Sequence, residues 1–117
     1  MAVDVKQLRI GSHILVNGKR ERVRGLDEDN GLIVRFPAEY VNANEVEPIL
    51  ITPELLAELG FQYRDNTYWE RWFFGGFDIE RKDGSSYFDY NSEIRLEYLH
   101  ELESLYYMIY GVELIKE

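Results

Sequence analysis

Three turn doublets, Asp65-Asn66, Gly75-Gly76 and Asp83-Gly84, punctuate the second half of this chain. Residues that tolerate positive φ are what a tight hairpin requires, so the doublets predict an antiparallel meander and also its register. With each doublet at the centre of its turn, Phe74 faces Phe77, Trp72 faces Ile79, Glu70 faces Arg81 and Arg71 faces Glu80. The next hairpin then sets Ile79 against Phe88 and Phe77 against Tyr90. Opposite charges meet and apolar side chains meet, each pair contributing about 0.2–1 kcal/mol. A slip of one residue would send every side chain of a strand to the other face.

Aromatic residues make that register consequential, because 15 of the 17 Phe, Tyr and Trp residues lie between Phe61 and Tyr110. A buried core has first claim on such rings, and only those it leaves out point to binding. In the stated register one face collects Phe61, Tyr63, Tyr68, Trp72, Phe74, Phe77, Ile79, Phe88 and Tyr90. The other carries Arg71, Asp78, Glu80, Lys82 and Asp89, and among them stand Trp69, Phe73 and Tyr87. These three rings, with Tyr107 beyond them, are the candidate partner-binding residues. Burial within the chain, burial against a second copy in a homo-oligomer, capture of a partner and stacking of a small ligand all stay open for them.

From Tyr98 onward the period changes to helical. Tyr98, Leu99, Leu102, Leu105, Tyr106, Ile109 and Tyr110 form one stripe, opposite His100, Glu101, Glu103 and Ser104, and Gly111 is placed as a stop. The stripe is suited to cover the aromatic sheet. Ile94, Leu96 and Tyr98 alternate instead, which predicts a fifth strand running into the helix.

The first half has a different grain. Leu8, Ile10, Ile14 and Val16 precede Asn17-Gly18, the strongest two-residue hairpin signal. A second turn at Asp29-Asn30-Gly31 leads into the apolar run Leu32 to Phe36, and Val46 to Ile51 supplies another. Short strands at this spacing suggest a small SH3-like barrel or curled sheet. Thr52-Pro53 then reads as an N-cap with proline at the first helical position, and Gly60 as a stop, predicting a helix over 53–59.

Charge and composition narrow the chemistry. Residues 1–35 carry seven Lys/Arg and five Asp/Glu, a balance of +2, which leaves −11 for the rest of a chain of net charge −9. Long-range repulsion of phosphate backbones follows, so nucleic acid ranks below protein as a partner. Cysteine is absent, removing disulfides, thiolate nucleophiles and cysteine-ligated zinc. The opening residues lack a secretion signal and no run approaches a membrane span, so a cytoplasmic location without membrane contact is the expectation.

Specific sites are few. His100, Glu101, Glu103 and Ser104 lack the second histidine of a zinc-protease helix and read as a solvated helix face. Asp27 to Gly31 resembles a calcium loop only faintly, with its glycine one position early and Ala38 where a bidentate glutamate belongs. No glycine-rich phosphate loop or nucleophile elbow is present. Arg20, Arg22 and Arg24 share one strand face by period two, opposite Leu15, His13 and Gly11. They are the candidate anion-binding stripe, against the plainer reading of an outward strand face paired with the chain's own acidic groups.

The run Val46-Glu-Pro-Ile-Leu-Ile-Thr-Pro-Glu-Leu-Leu-Ala-Glu-Leu-Gly-Phe61, with Tyr98-Leu-His-Glu-Leu-Glu-Ser-Leu-Tyr-Tyr-Met-Ile-Tyr-Gly-Val-Glu-Leu114, resembles a family of small uncharacterised proteins from intestinal bacteria and their phages. The Ile10-Gly11 and Asn17-Gly18 opening is similar too. The family's helix reads His-Gln-Leu-Gln-Asn-Leu-Tyr where this chain has His100-Glu-Leu-Glu-Ser-Leu-Tyr106, so its amides are replaced. The resemblance implies a phage or mobile-element origin and carries no assigned activity.

The expectation is an α+β chain: a small β unit over 1–51, then 52–117 holding the short helix, the antiparallel aromatic meander and the C-terminal helix packed on it, together one compact unit. Functionally it reads as a non-catalytic protein-interaction module without cofactor or metal, acting through its leftover aromatics. The alternative is nucleic-acid or anionic-partner binding through Arg20, Arg22 and Arg24. An enzyme built on dispersed carboxylates stays open.

Overall fold

The computed structural model describes residues 8–27, 31–35, 39–41, 46–65, 69–82, 86–90 and 92–115. Its elements are β1 His13–Val16, β2 Lys19–Arg22, β3 Gly25–Asp27, β4 Gly31–Arg35, β5 Glu39–Val41, β6 Val46–Glu47, α1 Pro53–Glu58, β7 Gln62–Asp65, β8 Trp69–Phe74, β9 Phe77–Lys82, β10 Tyr87–Asp89, β11 Arg95–Leu96 and α2 Leu99–Tyr110. The α+β class is as the sequence predicts. The chain divides into two compact units, Met1–Ile49 with Tyr98–Lys116, and Leu50–Glu97.

In the first unit Asn17 (φ 51°) and Gly18 (φ 79°) both take the left-handed conformation. That geometry closes a two-residue hairpin and aligns His13 with Arg22, Leu15 with Arg20 and Val16 with Lys19. β6 pairs on the other side of β1, giving the order β2-β1-β6, and β3, β4 and β5 form a separate antiparallel sheet. The apolar run from Val46 thus yields a strand of only two residues. Leu8, Ile14, Val23 and Val46 form the unit's buried apolar cluster, with Val16 against it.

The C-terminal helix belongs to this unit, whereas its apolar stripe suggests a lid on the meander. Two long-range polar links hold it there. The Glu103 carboxylate, fully buried, accepts from the His13 backbone N–H at 2.8 Å and lies 2.7 Å from His13 Nδ1. Arg9 donates to both Glu113 oxygens, at 2.7 and 3.1 Å, and to the Glu103 carbonyl at 3.1 Å. A charge survives burial only with such partners, and these partners roll the helix toward its charged side. Leu99, His100, Leu102, Glu103 and Leu105 are therefore the buried residues. His100 and Glu103 are not the solvated face that their polarity suggests, and Ile109 and Tyr110, expected inside, are about half exposed. Gly111 (φ 71°) ends the helix, its N–H donating to the Tyr107 carbonyl at 2.7 Å.

In the second unit Thr52 caps α1: its hydroxyl accepts from the Leu55 N–H at 3.1 Å and Pro53 opens the helix. Gly60, at φ 96°, lies just past its end. Leu55 and Leu56 are buried, and α1 packs against β7. The meander is a five-stranded antiparallel sheet in the order β11-β10-β9-β8-β7. Across β8 and β9 the expected register is observed, with Glu70 opposite Arg81, Arg71 opposite Glu80, Trp72 opposite Ile79 and Phe74 opposite Phe77.

Two other turns differ. Asp65 pairs with Glu70 and Tyr63 with Trp72, so Asp65 lies in a strand and not at the centre of its turn. The displacement is an even number of residues and leaves the faces unchanged. Between β9 and β10, however, Phe88 pairs with Glu80 and Asp89 with Ile79, one residue away from the expected Ile79–Phe88 pairing. The Asp83-Gly84 turn itself, Tyr68, and most of the Asp27 to Gly31 loop lie outside the described residues.

Candidate binding face

The one-residue displacement of β10 exchanges its two faces. Tyr87 turns inward and is 2 % exposed, so it leaves the set of available aromatics. Phe88, expected in the core, joins the opposite side. The strand pairings then define a row across the sheet, in which Arg64 lies opposite Arg71, Arg71 opposite Glu80, Glu80 opposite Phe88 and Phe88 opposite Arg95. Trp69 faces Lys82 on one side of that row. Phe73 faces Asp78 on the other, and Tyr90 is tied to the Asp78 carbonyl by its N–H at 3.1 Å.

This outer face holds its rings and cations in mutual contact. Trp69 and Phe88 meet edge to face with centroids 5.6 Å apart. The Arg64 guanidinium lies 5.1 Å from the Phe73 centroid and that of Arg71 lies 4.6 Å from Tyr90. Arg71 Nε also donates to Glu80 Oε1 at 2.8 Å, joined by its Nη2. The hydrogen bond to Glu80 raises the Arg71 pKa, burial opposes it, and the charges of Glu80 and Asp78 and the Tyr90 phenol add to the rise. Trp69, Phe73 and Phe88 are half-buried, while Tyr90, Arg64 and Arg95 are exposed.

The inner face carries a second polar group. Glu70 Oε2 accepts from Tyr87 O–H at 2.6 Å and from Trp72 Nε1 at 2.7 Å, and Oε1 accepts from Arg81 at 2.9 Å. Burial raises the Glu70 pKa, but these three donors and the Arg81 charge outweigh it and hold the carboxyl below the usual glutamate range. Burial, reinforced by the neighbouring carboxylate, pushes the Tyr87 phenol far above its ordinary value. With three donors converging on one carboxylate, this constellation braces the sheet. A cleft of about 200 Å³ beside it is lined by Arg81, Ser86, Tyr87, Leu96 and Glu97 among others, but its cation and phenol already serve Glu70.

The remaining candidates are scattered. Arg20 and Arg24 are exposed and Arg22 is half-buried, and none of the three lacks a partner. Arg22 stands opposite His13, whose ring is taken up by Glu103. Tyr107 lies in the other unit, exposed, with the Arg9 guanidinium 4.6 Å from its centroid. Neither nitrogen of the buried His100 ring has a hydrogen-bond partner among the described residues, and the ring stacks on Tyr98 at 5.8 Å and 9°. Burial pushes its pKa down. No group of three His, Asp or Glu among the described residues could hold a metal ion, and no helix among them is long and apolar enough to cross a membrane.

Phe88, Tyr90, Arg64 and Arg95 are the face residues that sequence reasoning missed. A signal for the first two was present at Asp89-Tyr-Asn-Ser92: Asp89 Oδ2 accepts from the Ser92 N–H at 3.0 Å and its hydroxyl at 2.6 Å, an Asx-type turn that ends the strand after an inward Asp89. Comparison with family models, curated proteins and solved structures found no match.

Proposed function

We propose that this chain is a non-catalytic protein-interaction module whose working surface is the outer face of the five-stranded sheet. One observation carries the reading: Trp69, Phe73, Phe88 and Tyr90 share that face with Arg64, Arg71 and Arg95. Trp, Tyr and Arg are the residue types that dominate protein interfaces. Rings already held by neighbouring rings and guanidinium groups lose little further freedom on binding. Tyr107, 45 % exposed, is a separate candidate on the other unit. The resemblance noted in the sequence adds a phage or mobile-element origin, and a cytoplasmic setting and an SH3-like character for residues 1–51 are part of the same proposal.

Capture from a bacterial lysate tests it, with three baits: the native chain, Trp69→Ala/Tyr90→Ala, and Arg20→Gln/Arg22→Gln/Arg24→Gln. The reading expects a protein retained at high salt by the first and third baits and lost by the second. Capture that survives loss of the rings but fails with the three arginines, and falls steeply with salt, would move the function to the anionic-partner alternative.

A further inference from the structure

Resting on the outer face as the working surface, we infer that its partner is an extended acidic protein segment crossing the strands, with two carboxylates about six residues apart and an apolar side chain between them. The face carries Arg64, Arg71, Lys82 and Arg95 against Asp78 and Glu80, a local excess of +2 on a chain whose net charge is −9. An anionic segment is therefore attracted to this face and discouraged from the rest of the protein.

The arrangement of those cations sets the geometry. Arg71 is closed off by Glu80. Arg64 and Arg95 sit at opposite edges of the sheet in one cross-strand row, exposed, and neither makes an ion pair among the described residues. Arg64 rests over Phe73, and stacking leaves its N–H groups, which lie in the guanidinium plane, available for a carboxylate. Four strand spacings separate the two edges, about 19 Å, which an extended chain covers in about six residues. The Trp69–Phe88 ring pair lies between them and offers the apolar contact.

A peptide fits this pattern better than a nucleic acid. Asp78 and Glu80 lie on the same face and repel a phosphate at every nucleotide, whereas a segment with only two carboxylates places them at Arg64 and Arg95, on the edge strands away from both.

The test is an NMR titration of the isotope-labelled full chain with the blocked peptide Glu-Ser-Thr-Ser-Leu-Ser-Glu, whose Leu shares one face of the extended chain with both Glu residues. Its counterpart with Lys for Glu and a seven-nucleotide oligothymidylate serve as comparisons. The acidic peptide is expected to shift amides of β7, β8, β10 and β11 and to weaken as salt rises. Arg64→Gln/Arg95→Gln, two exposed positions whose folding the same spectra verify, should weaken it about tenfold. Absence of shifts, equal response to the lysine peptide, or a stronger response of these amides to the oligonucleotide would overturn the inference. If lysate capture still depends on Trp69 and Tyr90 in that event, the interaction module stands and only the partner class falls; if both experiments fail, both fall.

Discussion

The Tyr87 hydroxyl donates a 2.6 Å hydrogen bond to Glu70 Oε2, and this bond ties β10 to β8 across the intervening strand β9. It anchors Tyr87 on the inner face, where Leu96 of β11 lies opposite it. With Tyr87 inside, Phe88 must stand outside, so a partly buried hydroxyl–carboxylate bond determines which rings the sheet displays.

Tyr87→Phe should lower stability by about 1.5–3 kcal/mol, the range for a hydrogen bond to a charged group, measured by urea unfolding at neutral pH. Glu70 is held below its usual pKa. Its contribution is therefore present above the ordinary glutamate value of about 4.3 and is lost as pH falls through the folded value. The variant should begin acid unfolding at higher pH than the native chain. An unchanged acid limb would show that the phenol does not support the carboxylate.

Tyr87 should ionise only well above the ordinary tyrosine range. Its folded pKa is raised, so its stabilisation is complete below about pH 10 and lost as pH rises through the folded value. Ultraviolet titration of the native chain and Tyr87→Phe should be the same near pH 10 and differ by one phenol only at higher pH or on unfolding. A loss of absorbance change near pH 10 in the variant would contradict the burial of that ring.

His100 supplies a third pH dependence, between the other two. Burial lowers its pKa, so the unfolded chain binds the extra proton first and stability declines as pH falls below about 6.5 toward the folded value. Because neither ring nitrogen has a partner among the described residues, His100→Leu should fold and should flatten the stability profile between about pH 7 and 5. A profile unaltered in that range would remove His100 as its source.

Glu103→Ala leaves His13 without its carboxylate in the interior of the first unit. Removing the carboxylate takes the acceptor from the buried His13 backbone N–H and the partner from its ring, at about 1–3 kcal/mol for each unsatisfied group, enough to unfold a marginal unit. Calorimetry should show a large fall in Tm, and a change no greater than that of an exposed control such as Glu58→Ala would refute the anchoring of α2 through this pair.

Much of this architecture was legible in the sequence, for reasons particular residues make plain. Asn17-Gly18, Gly75-Gly76, Thr52-Pro53 and Gly111 act through local geometry, and local geometry survives folding. The partner of α2 was not legible, because the decisive contact joins Glu103 to His13, 90 positions away, and nothing local distinguishes a glutamate that will meet a histidine from one that meets water. The binding face was half legible. Trp69 and Phe73 follow from the turn at Gly75-Gly76, which holds its expected register, whereas Tyr87 was misplaced because the Tyr87–Glu70 bond and the Asp89 turn determine the register of β10.

The most direct test of the outer face as the working surface is partner capture by Trp69→Ala/Tyr90→Ala, alongside its unfolding curve. Tyr90 is 50 % exposed and Trp69 half-buried, so the pair should leave a cooperatively folded chain that no longer retains its protein partner at high salt. A folded variant that captures the same partner as the native chain would contradict the account.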